Sequence, residues 1–465
     1  MSTKPLNINK HNFRLMDDYS LLFHVPSTAL YEINKEDINL IKGLESKEKL
    51  DPSDINEETL DSLKRLNIIG NQEDSEYVEV KNFPANTLIL NISTGCNLSC
   101  TYCYKADLTT LQNSGDMSFE TAKEAIQNLY DNSSIHEVYT ITYFGGEPLG
   151  NFSLIKEVTA YAQEFFKSKG AKVDFTLTTN GTLLTKEIVS FFKKNKFGIT
   201  LSIDGPKAIH NKTRLTNTGN GTYDTVRKKA SMLLQNYKDR PIGARVTLTA
   251  GITDVEVIWD HLFNELQFSE VGFAPATASD NAIFNLSEKE LLKVFEGFKK
   301  LGDKYIEDAI NNKFNGFSNL HRLIGDIHEG KKKSLPCGAG VGLLSVNYKG
   351  EYDLCHRFTG SDLKPFGTIK TGLDKPRLSN FIEKRLNNHS PDCKQCHIRN
   401  LCAGGCYHES YIRYNDPSHA VLHYCDIMRD WIEYGLIAYS KIKNANPEFF
   451  NRYFKNNVGD TNGLI

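Results

Sequence analysis

The sequence predicts an α/β protein whose centre is a parallel sheet, open or closed into a partial barrel. Three observations lead there. From Thr87 onward, apolar strand-length runs alternate with amphipathic helical stretches. Before Thr87 the pattern is shorter and strand-rich. After Pro336 cysteines become frequent, and all ten in the chain fall into two spaced groups.

Residues 12–34 alternate. Asn12–Met16, a turn at Asp17-Asp18, Tyr19–Val25 and Ala29–Ile33 predict a small antiparallel meander. Asn34 caps a helix carrying Ile38, Leu40, Ile41 and Leu44, and a second helix carries Leu60, Leu63 and Leu66. Tyr77–Phe83 reads as a further strand, and Pro84 marks a boundary. The strands of the central sheet are expected at Thr87–Ser93, Val138–Phe144, Val173–Thr179, Gly198–Asp204, Gly243–Ala250 and Val271–Pro275. Ser118 caps a helix through Tyr130. Leu154–Lys169 is another helix, with Ile155, Val158, Ala162, Phe165 and Phe166 on one face and Gly170 as its stop. Glu288–Lys332 is helical, and a last helix lies near Met428–Lys443. The expected division is 1–85, 86–280, 281–336, 337–426 and 427–465.

Composition narrows the function. The chain has 465 residues, 40% apolar and 24% charged, with net charge −2. That balance attracts neither nucleic acid nor an anionic membrane in bulk. No apolar run is long enough to span a bilayer, and residues 1–11 lack the apolar stretch of a secretory signal. A cytoplasmic location is expected, where thiols stay reduced and bind metals rather than pair.

The first cysteine group is Cys96, Cys100 and Cys103, spaced C-x3-C-x2-C just after a predicted strand. Active sites of parallel βα proteins sit at such strand ends. Three thiolates can hold three irons of a [4Fe–4S] cube and leave the fourth open to another molecule. Alone, the spacing also suits half of a zinc knuckle. Cys96-Asn-Leu-Ser-Cys100-Thr-Tyr102-Cys103 resembles the signature of the radical S-adenosylmethionine (radical SAM) family, C-x3-C-x-aromatic-C. The resemblance implies a partial (β/α)6 TIM barrel and a cluster whose open iron chelates SAM. Reductive cleavage of SAM then yields a 5′-deoxyadenosyl radical that abstracts a hydrogen atom.

Downstream motifs fall at later strand ends. Gly145-Gly146-Glu147-Pro148 resembles the family element that holds the SAM amino group. Asn180 stands where the family contacts the ribose. Ser202, Asp204 and Arg214 resemble the surroundings of the SAM carboxylate, and Arg245 is a further candidate for it because guanidinium binds carboxylates bidentately. Taken singly, each of these is an ordinary turn or a surface ion pair.

The second group is Cys337-x12-Gly350-x4-Cys355, then Cys393-x2-Cys396-x5-Cys402-x3-Cys406-x18-Cys425. One or two zinc sites would accept it. It is also similar to the SPASM extension of radical SAM enzymes. By that resemblance Cys337, Cys355 and Cys406 ligate auxiliary cluster I, and Cys393, Cys396, Cys402 and Cys425 ligate auxiliary cluster II. Three [4Fe–4S] clusters are then expected. Seven thiolates leave one iron of auxiliary cluster I open, for a substrate thiolate or for His356.

Residues 1–85 resemble the PqqD-like winged-helix module, or RiPP recognition element, which holds a precursor's leader peptide. The segments that carry this are Tyr19-Ser-Leu-Leu-Phe-His-Val and Ala29-Leu-Tyr-Glu-Ile-Asn-Lys. A free sheet edge would admit the leader as an added strand. Together the resemblances imply a peptide-modifying enzyme forming intramolecular Cys thioethers, with a reducing partner such as flavodoxin or ferredoxin. Carbon–carbon or carbon–oxygen crosslinking, sulfatase maturation and a non-catalytic zinc protein stay open as alternatives.

Overall fold

The computed structural model describes residues 5–70, 79–104, 115–133, 135–276, 282–387 and 390–454. The N-terminal elements are β1 (Leu6–Asn7), β2 (Phe13–Met16), β3 (Leu21–His24), β4 (Ala29–Glu32), α1 (Lys35–Glu45), β5 (Lys49–Leu50) and α2 (Glu57–Arg65). Strands β2, β3 and β4 form the expected antiparallel meander, with Leu21 opposite both Met16 and Glu32. Asn34 caps α1 by accepting the backbone N–H groups of Glu36 and Asp37.

Period-two alternation gives β3 two buried faces. Leu22 packs with Phe13, Leu15, Ile38, Ile41, Leu44 and Leu63 in the module's own core. Leu21, Phe23 and Val25 point the other way and join the main core of the protein. Polar clasps reinforce that docking. Arg14 pairs with Glu433 at 3.0 Å, Arg399 donates to the His11 carbonyl at 2.7 Å, and Asn400 donates to the Val25 carbonyl at 2.8 Å.

The expected strand at Tyr77–Phe83 is absent over its described part. Glu79–Phe83 is irregular, and residues 77 and 78 lie outside the described residues. Its hydrogen bonds go to a helix instead. The Val80 N–H donates to Glu383 and the Val80 carbonyl accepts from Ser379.

The barrel comprises β6 (Thr87–Ser93), α3 (Phe119–Asn132), β7 (Val138–Gly145), α4 (Phe152–Ser168), β8 (Lys172–Thr179), α5 (Lys186–Lys194), β9 (Gly198–Ser202), α6 (Lys207–Thr213), α7 (Tyr223–Asn236), β10 (Ile242–Leu248), α8 (Val255–Asp260) and β11 (Glu270–Pro275). The six strands are parallel and neighbour one another in chain order, as βα repetition requires. Helices α9 (Glu288–Ile310) and α10 (Ser318–His328) follow.

The sheet does not end at β6. Strand β12 (Leu343–Val346) adds to it in parallel, and β13 (Tyr352–Asp353) pairs antiparallel with β12. The hairpin turn passes through Gly350, whose φ of +82° suits a residue without Cβ. Four-residue and two-residue strands carry too little periodicity to be seen in advance. Beyond them lie α11 (Lys375–Asn387), α12 (Pro391–Lys394), α13 (Arg399–Cys402), α14 (Tyr407–Tyr414), α15 (Cys425–Ala445) and α16 (Glu448–Tyr453). Ala309, Leu320 and Ile324 of the bridge helices and Leu436 and Ile442 of α15 are buried in one core with the barrel. No described helix is long and apolar enough to cross a membrane.

Candidate functional site

The first three cysteines leave β6 in a short loop at the C-terminal rim of the barrel. The Cys103 N–H bonds back to the Cys100 carbonyl at 3.0 Å, and Cys96 Sγ accepts the Leu98 N–H at 3.4 Å. The three thiols lie within one another's electrostatic reach. Burial pushes the Cys100 thiol up to about 11, against the field of Arg214.

Gly145 and Gly146 let the end of β7 lie directly on this loop. A Cβ on Gly145 would stand 2.2 Å from the Ser93 carbonyl oxygen, and one on Gly146 2.1 Å from that of Gly95. Pro148 starts the short 3-10 turn that follows. Glu147 is buried, and its carboxylate is already engaged. It accepts the Thr179 hydroxyl at 2.7 Å, the Asn180 N–H at 2.7 Å and the Leu149 N–H at 3.0 Å. The carboxylate therefore clamps the ends of β7 and β8 together. Asn180 turns its side-chain amide toward the loop, 3.0 Å from Asn97 Oδ1 and 3.9 Å from Cys96 Sγ.

Asp204, fully buried, organises the rest of the rim. It accepts from the Tyr102 hydroxyl at 2.6 Å, Arg214 Nε at 2.9 Å and the Thr247 N–H at 3.0 Å. Its own N–H donates to His210 Nδ1 at 3.3 Å. Arg214 Nη1 lies 4.0 Å from Cys100 Sγ, and its guanidinium stands over the Tyr102 ring. Tyr102, Glu147, Asn180, Asp204 and Arg214 thus meet around one thiol set. Ser202 and Arg245 do not join them. They face each other across β9 and β10, with Arg245 three residues below the strand end at Leu248.

The other seven thiols form two sets in space, and Cys406 falls with Cys337 and Cys355 although only three residues separate it from Cys402. Cys337, Cys355 and Cys406 act on one another electrostatically. Cys393, Cys396, Cys402 and Cys425 form a second such set. Among the described residues, no three His, Cys, Asp or Glu side chains converge on a point that would hold one ion. Burial pushes the Cys355 thiol strongly up. Arg357 Nη1 stands 3.8 Å from Cys406 Sγ with its guanidinium over the Tyr104 ring. Arg385, buried, donates to the carbonyls of Ala403 at 3.0 Å and Gly405 at 3.1 Å, holding the loop between Cys402 and Cys406.

Cationic N–H donors beside buried sulfurs suit anionic iron–sulfur clusters, whose sulfurs accept such bonds. Sequence reasoning missed Arg357, Arg385 and Tyr104. The first and last adjoin motif residues, so position alone pointed to them. Arg385 carries no sequence signal.

Residues 90–260 match the profile of the radical SAM superfamily. The barrel is a radical SAM core. Over 368 residues, 76% of this chain and 96% of the relative, the chain is 26% identical to a cysteine-type anaerobic sulfatase-maturating enzyme of Clostridium perfringens. The structure of native anSMEcpe with bound AdoMet shares 25% identity and a TM-score of 0.66, over 80% of this chain and all of that one. Streptococcus suis SuiB bound to its precursor peptide SuiA matches in fold, with 16% identity and a TM-score of 0.51 over 90% of this chain and 99% of that one. The radical SAM core, the cysteine-rich region and the N-terminal meander of this chain share one continuous main core.

Proposed function

We propose that this chain is a SPASM-type radical SAM maturase that closes intramolecular thioethers in a ribosomally made precursor peptide. The observation that carries the reading is the partition of ten thiols into three spatial sets, two of which have only three members: the set beside the SAM-binding rim, and Cys337, Cys355 and Cys406. Cys96, Cys100 and Cys103 would hold the SAM cluster, Cys337, Cys355 and Cys406 auxiliary cluster I, and Cys393, Cys396, Cys402 and Cys425 auxiliary cluster II. When bound, SAM and its cluster supply a 5′-deoxyadenosyl radical for hydrogen abstraction. The chain's own part is to orient and exclude water. The rim residues around Asp204 fix the loop that presents the first set. The β12–β13 hairpin brings Cys355 beside β6, whose end carries Cys96. A three-thiol set leaves room for a precursor cysteine.

The N-terminal module would hold the leader. Its strand β4 is an edge strand with exposed Tyr31, suited to strand addition. A reducing partner such as flavodoxin or ferredoxin would supply electrons. A sulfatase maturase is the second reading, favoured by the C. perfringens relative. In fold, the likeness to anSMEcpe spans 80% of this chain at a TM-score of 0.66, and that to SuiB spans 90% at 0.51.

The test is anaerobic purification and co-expression with a Cys-containing peptide encoded beside the gene. Three clusters give a brown protein, and a colourless zinc protein refutes the whole reading. Cys96→Ala/Cys100→Ala/Cys103→Ala should abolish 5′-deoxyadenosine while iron of the other sets stays bound. A thioether product is lighter by two hydrogens per ring and has one fewer alkylatable cysteine. Loss of hydrogens with every cysteine still alkylatable favours carbon–carbon or carbon–oxygen crosslinking instead. Conversion of a sulfatase cysteine to formylglycine favours the second reading.

A further inference from the structure

Below the rim the barrel holds a cavity of about 90 Å³, partly open to solvent. Its walls are mostly small and neutral, with threonines from β7, β8 and β9. Its charged lining is different: Arg245 from β10, Arg322 from α10 and Glu270 at the floor, with His356 at the far side beside Cys355. Arg322 and Glu270 each have partners within the protein. Arg245 has no hydrogen bond or ion pair from its side chain among the described residues. Burial and the like charges of Arg322 and Arg357 pull its guanidinium down to about 10, and no carboxylate offsets them. Even a half-buried cation without a counter-charge is costly to keep. Arg214 shows what the same fold does when it supplies one, with Asp204 at 2.9 Å.

The geometry points to a carboxylate-binding subsite in the barrel, formed by Arg245 with Arg322, that takes the side chain of an aspartate or glutamate in the peptide substrate. This rests on the peptide-maturase reading above and names the kind of residue that enters the site. Two sources could supply the carboxylate: the methionine moiety of SAM or an acidic residue of the peptide. Position favours the peptide. Arg245 lies mid-strand, opposite Gly272 on one side and Ser202 on the other, below the level where Glu147, Asn180 and Asp204 gather. Gly272 lets the Ser318 hydroxyl and the guanidinium approach the strand together, since a Cβ there would stand 2.8 Å from Ser318 Oγ and 3.8 Å from Arg245 Nη1. The same cavity reaches His356, whose ring lies 4.1 Å from that of Phe144 and next in sequence to Cys355. An acidic residue anchored at Arg245 therefore sits in the same cavity that His356, the neighbour of Cys355, lines.

The test uses the anaerobically reconstituted full chain and two synthetic decapeptides, each with one cysteine, identical except for Asp or Asn at one site. Binding of each is measured calorimetrically with SAM present, and SAM binding is measured separately by equilibrium dialysis. The wild type should prefer the Asp peptide by about tenfold or more, as expected for a charge-assisted bidentate pair. Arg245→Gln should bring that ratio close to one while SAM affinity holds. Arg245→Lys should keep part of the preference, with iron content showing that each variant folds. Equal binding of the two peptides by the wild type, or no binding of either at millimolar concentration, overturns the subsite. So does an Arg245→Gln variant that loses SAM affinity and keeps the peptide ratio, which assigns the arginine to SAM. Peptide-free 5′-deoxyadenosine release by the wild type separates these outcomes from failure of the radical SAM reading itself.

Discussion

The rim buries one arginine and the interior of the barrel half-buries another, and the two are treated in opposite ways. At the rim Arg214 lies against Asp204, and that partner holds its guanidinium charged more firmly than usual. In the interior no carboxylate among the described residues pairs with Arg245, and desolvation with two other arginines weakens its hold on the proton. The rim is a closed electrostatic unit made by the chain for itself. The interior is an open one. Charge balance inside a protein is a local matter, and an omitted partner marks a place where a ligand finishes the arrangement.

Four measurements break or sharpen this contrast. The largest effect is expected from Asp204→Asn, which turns the rim into a second uncompensated site. Leaving Arg214 buried and unpaired should cost about 3–5 kcal/mol, read by denaturant unfolding under anaerobic conditions. A cost below about 1 kcal/mol would mean that water already reaches Arg214.

Next comes acid. Burial first, and Arg214 second, hold the His210 imidazole down to about 4. A depressed histidine contributes stability above its unfolded value of 6.5 and loses it as pH falls from there through about 4. The loss across that window should approach 3 kcal/mol, at about 1.4 kcal/mol per pH unit. Protonation would also remove the Nδ1 acceptor of the Asp204 N–H. His210→Gln should flatten the curve over that range, and an unchanged slope would point to other groups.

A smaller change is Tyr102→Phe, which deletes one donor to Asp204 and leaves the stronger ion pair. About 1 kcal/mol is expected. The smallest is Arg245→Met in the ligand-free protein. Removing a half-buried charge that nothing balances should leave stability within about 1 kcal/mol of the wild type, or raise it. A large loss there would show that the interior is balanced after all.

The strands and helices of the barrel were legible because each is long and periodic. Strand Thr87–Ser93 is observed at its predicted bounds. The rim residues were legible for a different reason, since they follow strand ends at fixed offsets. Three things were not. Leu343–Val346 is too short to show a period, yet it extends the sheet. Glu79–Phe83 has strand-like residues, but Glu383 and Ser379 take its backbone groups. The role of Glu147 could be read only as a side chain free for a ligand, because the donors that engage it come from Thr179, Asn180 and Leu149, the first two far along the chain. The meander also looked separable from the rest. In fact Leu21, Phe23 and Val25 bind it into the main core, so truncation would expose an apolar face.

The hairpin beside β6 sets a scale for the molecule. Cys96 follows the end of β6, and Cys337 and Cys355 flank a hairpin hydrogen-bonded to that same strand. The two cysteine sites are therefore marks on one ruler. Sliding the hairpin by one side-chain repeat would move its marks by about 6.6 Å and break every rung of the ladder at once. Intermediate positions do not exist, because sheet register is counted in whole residues. The ladder therefore fixes the gap between the two cysteine sites, while the loops and the cavity side chains, Arg245 among them, can change without moving it.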